Sequence, residues 1–309
     1  MVDEALLRTL TPTVIGILGR RGADFAAAED AVQDALVEAV RAWPEDLPRD
    51  PQGWLVTVAW RKFLDAARAR VQKSLDGAVK HGKMDQAKRD EALARITFTP
   101  DLKDVASADI VIEAIPEILD LKVSLLKELD ELVSPGTVIA TNTSSIPIAE
   151  LAGKLQNPGR VVGVHFFSPV PVMKLVEIVV ALDTDPETAD IAVAFADKLG
   201  KHPIRTKDRS GFIVNFLLTG YLMAAIRMYE EGFASREDID NGMRLGAGHP
   251  MGPLTLADMT GLDIVYSVGN SMYEEFKREE YAPPPLLKRM IDAGRLGRKS
   301  GRGFYEYGT

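Results

Sequence analysis

Between residues 109 and 206 the chain alternates short apolar runs with helical stretches, and that alternation limits the possible folds more than any other feature. Residues 109–115 (D-I-V-I-E-A-I), 137–140 (T-V-I-A), 160–164 (R-V-V-G-V) and 176–180 (V-E-I-V-V) are too short for helices and carry Val and Ile almost without interruption. Such runs, bounded by turn residues, mark parallel strands covered on both faces. Apolar residues at helical spacing fill 119–132 and 186–199 between them. The expectation is an α/β layer architecture, a doubly wound sheet. Residues 203–206 read as a last short strand, and 95–98 as a further one.

The flanks differ in texture. Leu6, Leu7, Leu10, Val14, Ile17 and Leu18 keep a helical period, and so do Ala28, Ala31, Val32, Ala35, Leu36 and Ala39. Pro44, Pro48 and Pro51 break the chain, after which Leu55, Val58, Ala59 and Phe63 mark another helical face. No strand is predicted in the first 70 residues. Residues 71–94 continue as a polar, Lys-rich helical segment with a turn at His81-Gly82. Beyond Gly211 the sequence is helical again, over 212–231, after Ser235 and over 263–276. Apolar helices short of partners within one chain point to a homodimer.

A formal net charge of -8 argues against a generally nucleic-acid-seeking surface, because counterion release needs concentrated Lys and Arg. Cys is absent, which removes thiolate metal sites, disulfides and thiol nucleophiles and fits a reducing compartment. The start, Met1-Val2-Asp3-Glu4, lacks the basic opening of a signal peptide, and no apolar run approaches the ~20 residues a membrane helix requires. A cytoplasmic protein without a membrane anchor is expected.

Chemistry concentrates where the apolar runs end. Residues 137–140 lead into Asn142-Thr143-Ser144-Ser145, residues 160–164 lead into His165, and Glu177 follows shortly after. In an open α/β sheet the carboxyl ends of the strands hold the ligand. A neutral imidazole takes a proton from an alcohol near neutral pH, and a carboxylate on its other nitrogen fixes the tautomer and stabilises the cation. Ser144, and Asn215 in G-F-I-V-N, then hold the oxygen undergoing change. Neither sits in a G-x-S-x-G elbow, so acyl-enzyme chemistry is not indicated. For His165 alone, a core histidine bonded to a backbone carbonyl is an equal reading; the four residues together favour an enzyme.

From about residue 71 onward the chain resembles the L-3-hydroxyacyl-CoA dehydrogenase family, most closely the bacterial 3-hydroxybutyryl-CoA dehydrogenases. The resemblance rests on A-T-N-T-S-S at 140–145, H-F-F-S-P-V-P-V-M-K-L-V-E at 165–177, G-F-I-V-N at 211–215, H-P-M-G-P at 249–253 and L-G-R-K-S-G-R-G-F-Y at 296–305. It implies hydride transfer between a 3-hydroxyacyl-CoA and NAD or NADP, with His165 as general base, Glu177 as its orienting partner, and Ser144 and Asn215 on the substrate oxygen. It further implies cofactor contacts from Glu117, Lys122, Asn142 and Lys299, and contacts to the CoA moiety from Ser74 and Lys80. An ordinary solvated helix face is the alternative for each lysine.

A member of that family begins with a strand, a G-x-G-x-x-G turn and a helix, which seat the pyrophosphate. Here the nearest approach is Gly16, Gly19 and Gly22, spaced G-x-x-G-x-x-G in a stretch that reads as helix. The departure from that pattern implies an incomplete Rossmann-like sheet and weak or no NAD binding. Residues 1–70 instead resemble region 2 of an extracytoplasmic-function sigma factor of RNA polymerase, through D-F-A-A-A-E-D-A-V-Q-D-A-L at 24–36, W-P at 43–44 and P-Q-G-W-L-V-T-V-A-W-R-K-F-L-D at 51–65. Trp54, Trp60, Arg61, Lys62 and Phe63 then either contact single-stranded promoter DNA or pack a small bundle. The expected organisation is a sigma-like helical segment (1–70), a partial Rossmann-like domain (71–207) and a helical domain for substrate and dimerisation (208–309). The rival readings are a polymerase- or DNA-binding module and an inactive chimera.

Overall fold

The computed structural model describes residues 4–308; the acidic start at Met1 to Asp3 lies outside them. The chain divides into two compact units, one ending at Thr137 and the other beginning at Val138.

In the first unit, α1 (Glu4–Arg20), α2 (Phe25–Ala42) and the start of α3 (Pro51–Lys80) form a helical bundle. Its core is Leu7, Val14 and Leu18 against the alanine face of α2 (Ala28, Ala31, Ala35) and Leu55 and Ala59 of α3. The breaker-rich loop ends in a cap: Asp50 accepts a hydrogen bond from Gly53 N at 2.9 Å, and Pro51 occupies the first turn, where its missing N–H costs nothing. Asp50→Ala is expected to destabilise the bundle by about 1 kcal/mol, read as a lower unfolding midpoint. Trp43 meets Trp54 edge-on at 5.5 Å, and Trp60 stacks on Phe63 at 5.2 Å.

Beyond Ala59, α3 continues into an exposed arm, and α4 (Gln86–Ala94) joins it through a 2.7 Å ion pair from Arg89 to Asp76. Gly82, at φ +67°, makes the predicted turn. Residues 95–98 do not form the expected strand. A strand persists only where a neighbour takes up its N–H and C=O groups, and among the described residues none pairs with this segment. Phe98 instead lies under the Arg68 guanidinium, 5.3 Å from the ring centroid. β1 (Ile110–Glu113) and α5 (Leu119–Leu132) complete the unit.

The second unit opens with β2 (Val138–Thr141), the short α6 (Ile148–Ala152), β3 (Val161–Phe166), β4 (Leu175–Val180), α7 (Pro186–Lys198) and β5 (His202–Lys207). β2 pairs with β3 and β4 with β5 in parallel, whereas β3 and β4 run antiparallel. That last pairing departs from the all-parallel expectation, and the connection explains it. Only residues 167–174 join β3 to β4, too few for the dozen or more of a parallel crossover.

The helical remainder is α8 (Val214–Glu230), α9 (Arg236–Asn241), α10 (Pro253–Thr260), α11 (Leu262–Phe276) and α12 (Pro285–Asp292). Leu222, Met223, Ile226, Leu254, Leu262 and Leu287 form its core. Two buried carboxylates dock the tail. Asp258 accepts from Phe304 N and Tyr305 N, both at 2.9 Å, and Asp240 from Leu254 N at 2.8 Å and Tyr305 Oη at 3.0 Å. No helix among the described residues is long and apolar enough to cross a membrane.

Candidate active site

The antiparallel register sets His165 of β3 directly opposite Glu177 of β4. Opposed residues on such a ladder share a face, so imidazole and carboxylate meet: His165 Nδ1 lies 2.8 Å from Glu177 Oε2. Glu177 is therefore a cross-strand partner inside β4, and His165 is part of β3, where the sequence had suggested groups beyond the strand ends. Both are buried, His165 at 5% and Glu177 at 0% exposure.

The second carboxylate oxygen is also engaged. Glu177 Oε1 accepts from Ile213 N and Val214 N, each at 3.0 Å, at the start of α8. Those donors are orphans of a helix N-terminus, where negative charge is favoured. Gly211 at φ +77° and Phe212 at φ +48° turn the chain into α8. A left-handed phenylalanine is strained, a state the surrounding contacts must hold in place. Phe212 and Phe167 also flank the imidazole, at ring distances of 5.4 and 4.6 Å. Glu177→Gln is expected to cost about 2–3 kcal/mol by removing charge-assisted bonds from a buried group, measured by denaturant unfolding.

With Nδ1 committed to Glu177, Nε2 is left for the cavity that His165 lines. This cavity, ≈ 300 Å³, brings together Asn142, Ser144, His165 and Asn215, with Leu218 and Val268 among its apolar walls. Ser144 is carried on the loop after β2, where Thr143 Oγ1 accepts from Ile146 N at 3.0 Å. Asn142 Oδ1 accepts from Phe166 N at 2.9 Å, tying the end of β2 to β3. Asp208, which sequence reasoning missed, caps α6 through Ile148 N at 2.9 Å and Ala149 N at 2.7 Å. A carboxylate sixty residues away in sequence leaves no local signal for such a cap.

The remaining candidates lie outside that cavity's lining. Lys299 forms an ion pair with Asp263 at 2.7 Å, both half exposed. In the first unit Lys122 is 1% exposed, and its ammonium meets Glu113 at 2.8 Å, Glu117 at 3.2 Å and the Ile115 carbonyl at 3.1 Å. A solvated helix face is thus the wrong picture for this lysine. Ser74 and Lys80 are exposed on the outer part of α3.

The residues that would seat a dinucleotide pyrophosphate do not fit one. Gly16 and Gly19 are inside α1, and Gly22, at φ +96°, is a packing turn where a Cβ would come within 2.7 Å of Ile115 Cγ2. Arg61 and Lys62 both pair with Glu38, and Trp54, Trp60 and Phe63 pack against the bundle core.

The mixed sheet, its buried imidazole–carboxylate couple and the helical domain that follows place the chain among α/β enzymes. More particularly, the chain belongs to the 3-hydroxyacyl-CoA dehydrogenase family: it matches that family's NAD binding domain over residues 54–209 and its C-terminal domain over 211–307. A 3-hydroxybutyryl-CoA dehydrogenase of Mycobacterium tuberculosis is 51% identical over 247 residues, covering 79% of this chain and 86% of that protein. One from Clostridioides difficile is 41% identical over 244 residues, covering 79% and 87%. Among solved structures, FadB2 of M. tuberculosis aligns with a TM-score of 0.78 at 50% identity, covering 80% of this chain and 87% of that one. The (S)-3-hydroxybutyryl-CoA dehydrogenase of Ralstonia eutropha gives 0.77 at 45%, with the same coverage. Residues 6–72 match sigma-70 region 2. The two N-terminal matches overlap over 54–72, inside the single helix α3.

Proposed function

We propose that the second unit carries a 3-hydroxyacyl-CoA dehydrogenase-type site for the C3 oxygen of a short acyl-CoA, and that exchange of hydride with NAD or NADP is impaired. The observation that carries this reading is the buried His165–Glu177 couple facing a cavity shared with Ser144 and Asn215. His165 Nε2 takes the proton of the 3-hydroxyl, or returns it to a 3-oxo group. Glu177, fixed by two backbone donors, holds the imidazole tautomer and balances the imidazolium. Ser144 and Asn215 hold the oxygen as its charge develops. Asn142 lines the same cavity, while Glu117 and Lys122 are drawn into an ion cluster and Lys299 into a pair with Asp263. Because Gly16, Gly19 and Gly22 do not form a pyrophosphate turn among the described residues, this reading expects weak cofactor affinity.

The C3 oxygen gives the test. Acetoacetyl-CoA is expected to bind about 10-fold more tightly than butyryl-CoA, which lacks that oxygen, and Ser144→Ala with Asn215→Ala erases the difference. Equal binding of the two thioesters rejects the reading. A second reading concerns residues 1–70, whose match to sigma-70 region 2 and closed core favour a bundle that binds core RNA polymerase. A pull-down with core polymerase tests it, and no retention rejects it.

A further inference from the structure

One buried hydroxyl in the second unit is not used by the proton chemistry of His165 and Glu177. Ser210 is 0% exposed, as fully enclosed as Glu177 itself. A hydroxyl is costly to bury unless it is bonded, and the bond Ser210 makes ends beside the candidate site. Its Oγ donates to the Ser145 carbonyl oxygen at 3.1 Å, across 65 residues of sequence and next to Ser144. Ser210 does not line the cavity.

The segment around it, residues 208–214, is tied down one residue after another. Asp208 caps α6. The Arg209 guanidinium carbon lies 3.7 Å from the ring centroid of Phe216 on α8 and 5.0 Å from that of Phe276 on α11, a cation held on aromatic faces. Ser210 N donates to Glu275 Oε1 of α11 at 3.4 Å. Gly211 is packed so closely that a Cβ would come within 3.0 Å of Phe216 N. Ile213 N and Val214 N then hold Glu177. The segment is therefore anchored on α8 and α11, and from that anchorage Ser210 reaches to the loop after β2.

That loop is folded on itself, with Thr143 Oγ1 accepting from Ser145 N at 3.4 Å and from Ile146 N at 3.0 Å. Such local bonds set its shape but not its distance from α8. The Ser210 hydroxyl supplies a tie of the second kind, because the segment it belongs to runs into α8, whose first turn carries Asn215. Two groups that grip one oxygen must keep a fixed separation, and a shift of about 1 Å forfeits much of their effect. The geometry points to Ser210 as a positioning residue that holds the Ser144 hydroxyl at its working distance from Asn215. The inference rests on the reading of Ser144 and Asn215 as the pair that binds the C3 oxygen.

The experiment compares the full parent chain with S210A, S144A and S210A/S144A by calorimetric titration with acetoacetyl-CoA and butyryl-CoA. Ser210→Ala is expected to weaken acetoacetyl-CoA by about 3- to 5-fold and to leave butyryl-CoA unchanged, because only the first carries the C3 oxygen. In the S144A background the same substitution is expected to change neither, since the group it positions is gone. A serine with a merely structural part weakens both thioesters, or acts equally in both backgrounds, and either result overturns the inference. Amide hydrogen exchange gives a second readout. In S210A, Ser145 N and Ile146 N are expected to lose protection by about 5-fold, while α8 and α11 keep theirs and so report an intact fold. Unchanged exchange at Ser145 and Ile146 overturns the inference whatever the thioesters do. Equal binding of the two thioesters by the parent chain, with faster loop exchange in S210A, rejects the oxygen-site reading and upholds Ser210 as the tie of that loop.

Discussion

Exchanging residues 1–70 for the first βαβ unit of a dehydrogenase relative is expected to raise NADH-dependent reduction of acetoacetyl-CoA by about 10³-fold. A G-x-G-x-x-G turn presents backbone N–H groups and a helix N-terminus to the pyrophosphate. Two or three charge-assisted bonds at about 1.5–3 kcal/mol each supply roughly 4 kcal/mol, and each 1.4 kcal/mol is tenfold in affinity. Among the described residues Gly16 and Gly19 lie within α1 and Gly22 is a packing turn against Ile115, so these glycines do not form such a turn. In the exchanged chain His165→Ala is then expected to remove about 10²–10⁴ of the rate, the usual worth of a positioned acid–base group. A parent chain that already turns over as fast as the exchanged one contradicts the argument.

Replacing Lys122 with Met is expected to destabilise the first unit by about 3–5 kcal/mol, the cost of breaking a buried ion pair from one side. Lys122 and Glu113 are 1% and 0% exposed at their side chains. The three N–H groups of the ammonium find the Glu113 carboxylate, Glu117 and the Ile115 carbonyl. Without it the buried Glu113 carboxylate loses the ammonium that meets both of its oxygens, and the desolvated negative charge is the cost. Denaturant unfolding of Lys122→Met, Glu113→Gln and the double variant measures this. The double variant is expected to recover much of the loss, since both charges leave together. A loss below about 1 kcal/mol in Lys122→Met places the pair among surface-like ion pairs and contradicts the account.

Much of this architecture was legible. Apolar spacing set α5 at its observed bounds, and the continuous Val/Ile runs located β1 to β4 to within two residues, because burial on both faces leaves a composition signal. The hydroxyl, imidazole and amide that share the cavity were named from motifs. Three things were not readable. A strand at 95–98 failed because strand formation depends on a neighbour, which no local pattern reports. The antiparallel turn of β4 was encoded in the eight residues from 167 to 174, a length that forbids crossover, and the parallel expectation overrode it. Lys122 was expected at the cofactor, with a solvated helix face as the alternative, and neither reading shows that Glu113 and Glu117 converge on it, because helical position alone does not report those partners. The aromatic cluster of 1–70 was ambiguous between nucleic-acid stacking and packing, and Trp43, Trp54, Trp60 and Phe63 in fact associate with the bundle core.

The central claim is that proton chemistry and cofactor seat have been separated: the acyl-CoA site is kept and the dinucleotide site lost. Calorimetric titration of the intact chain with acetoacetyl-CoA and with NADH tests it directly. The account predicts a saturating isotherm in the micromolar range for acetoacetyl-CoA and no saturation by NADH below about 1 mM, given the ~4 kcal/mol of missing pyrophosphate contacts. Micromolar NADH binding, accompanied by loss of the nicotinamide absorbance when acetoacetyl-CoA is added, would contradict it.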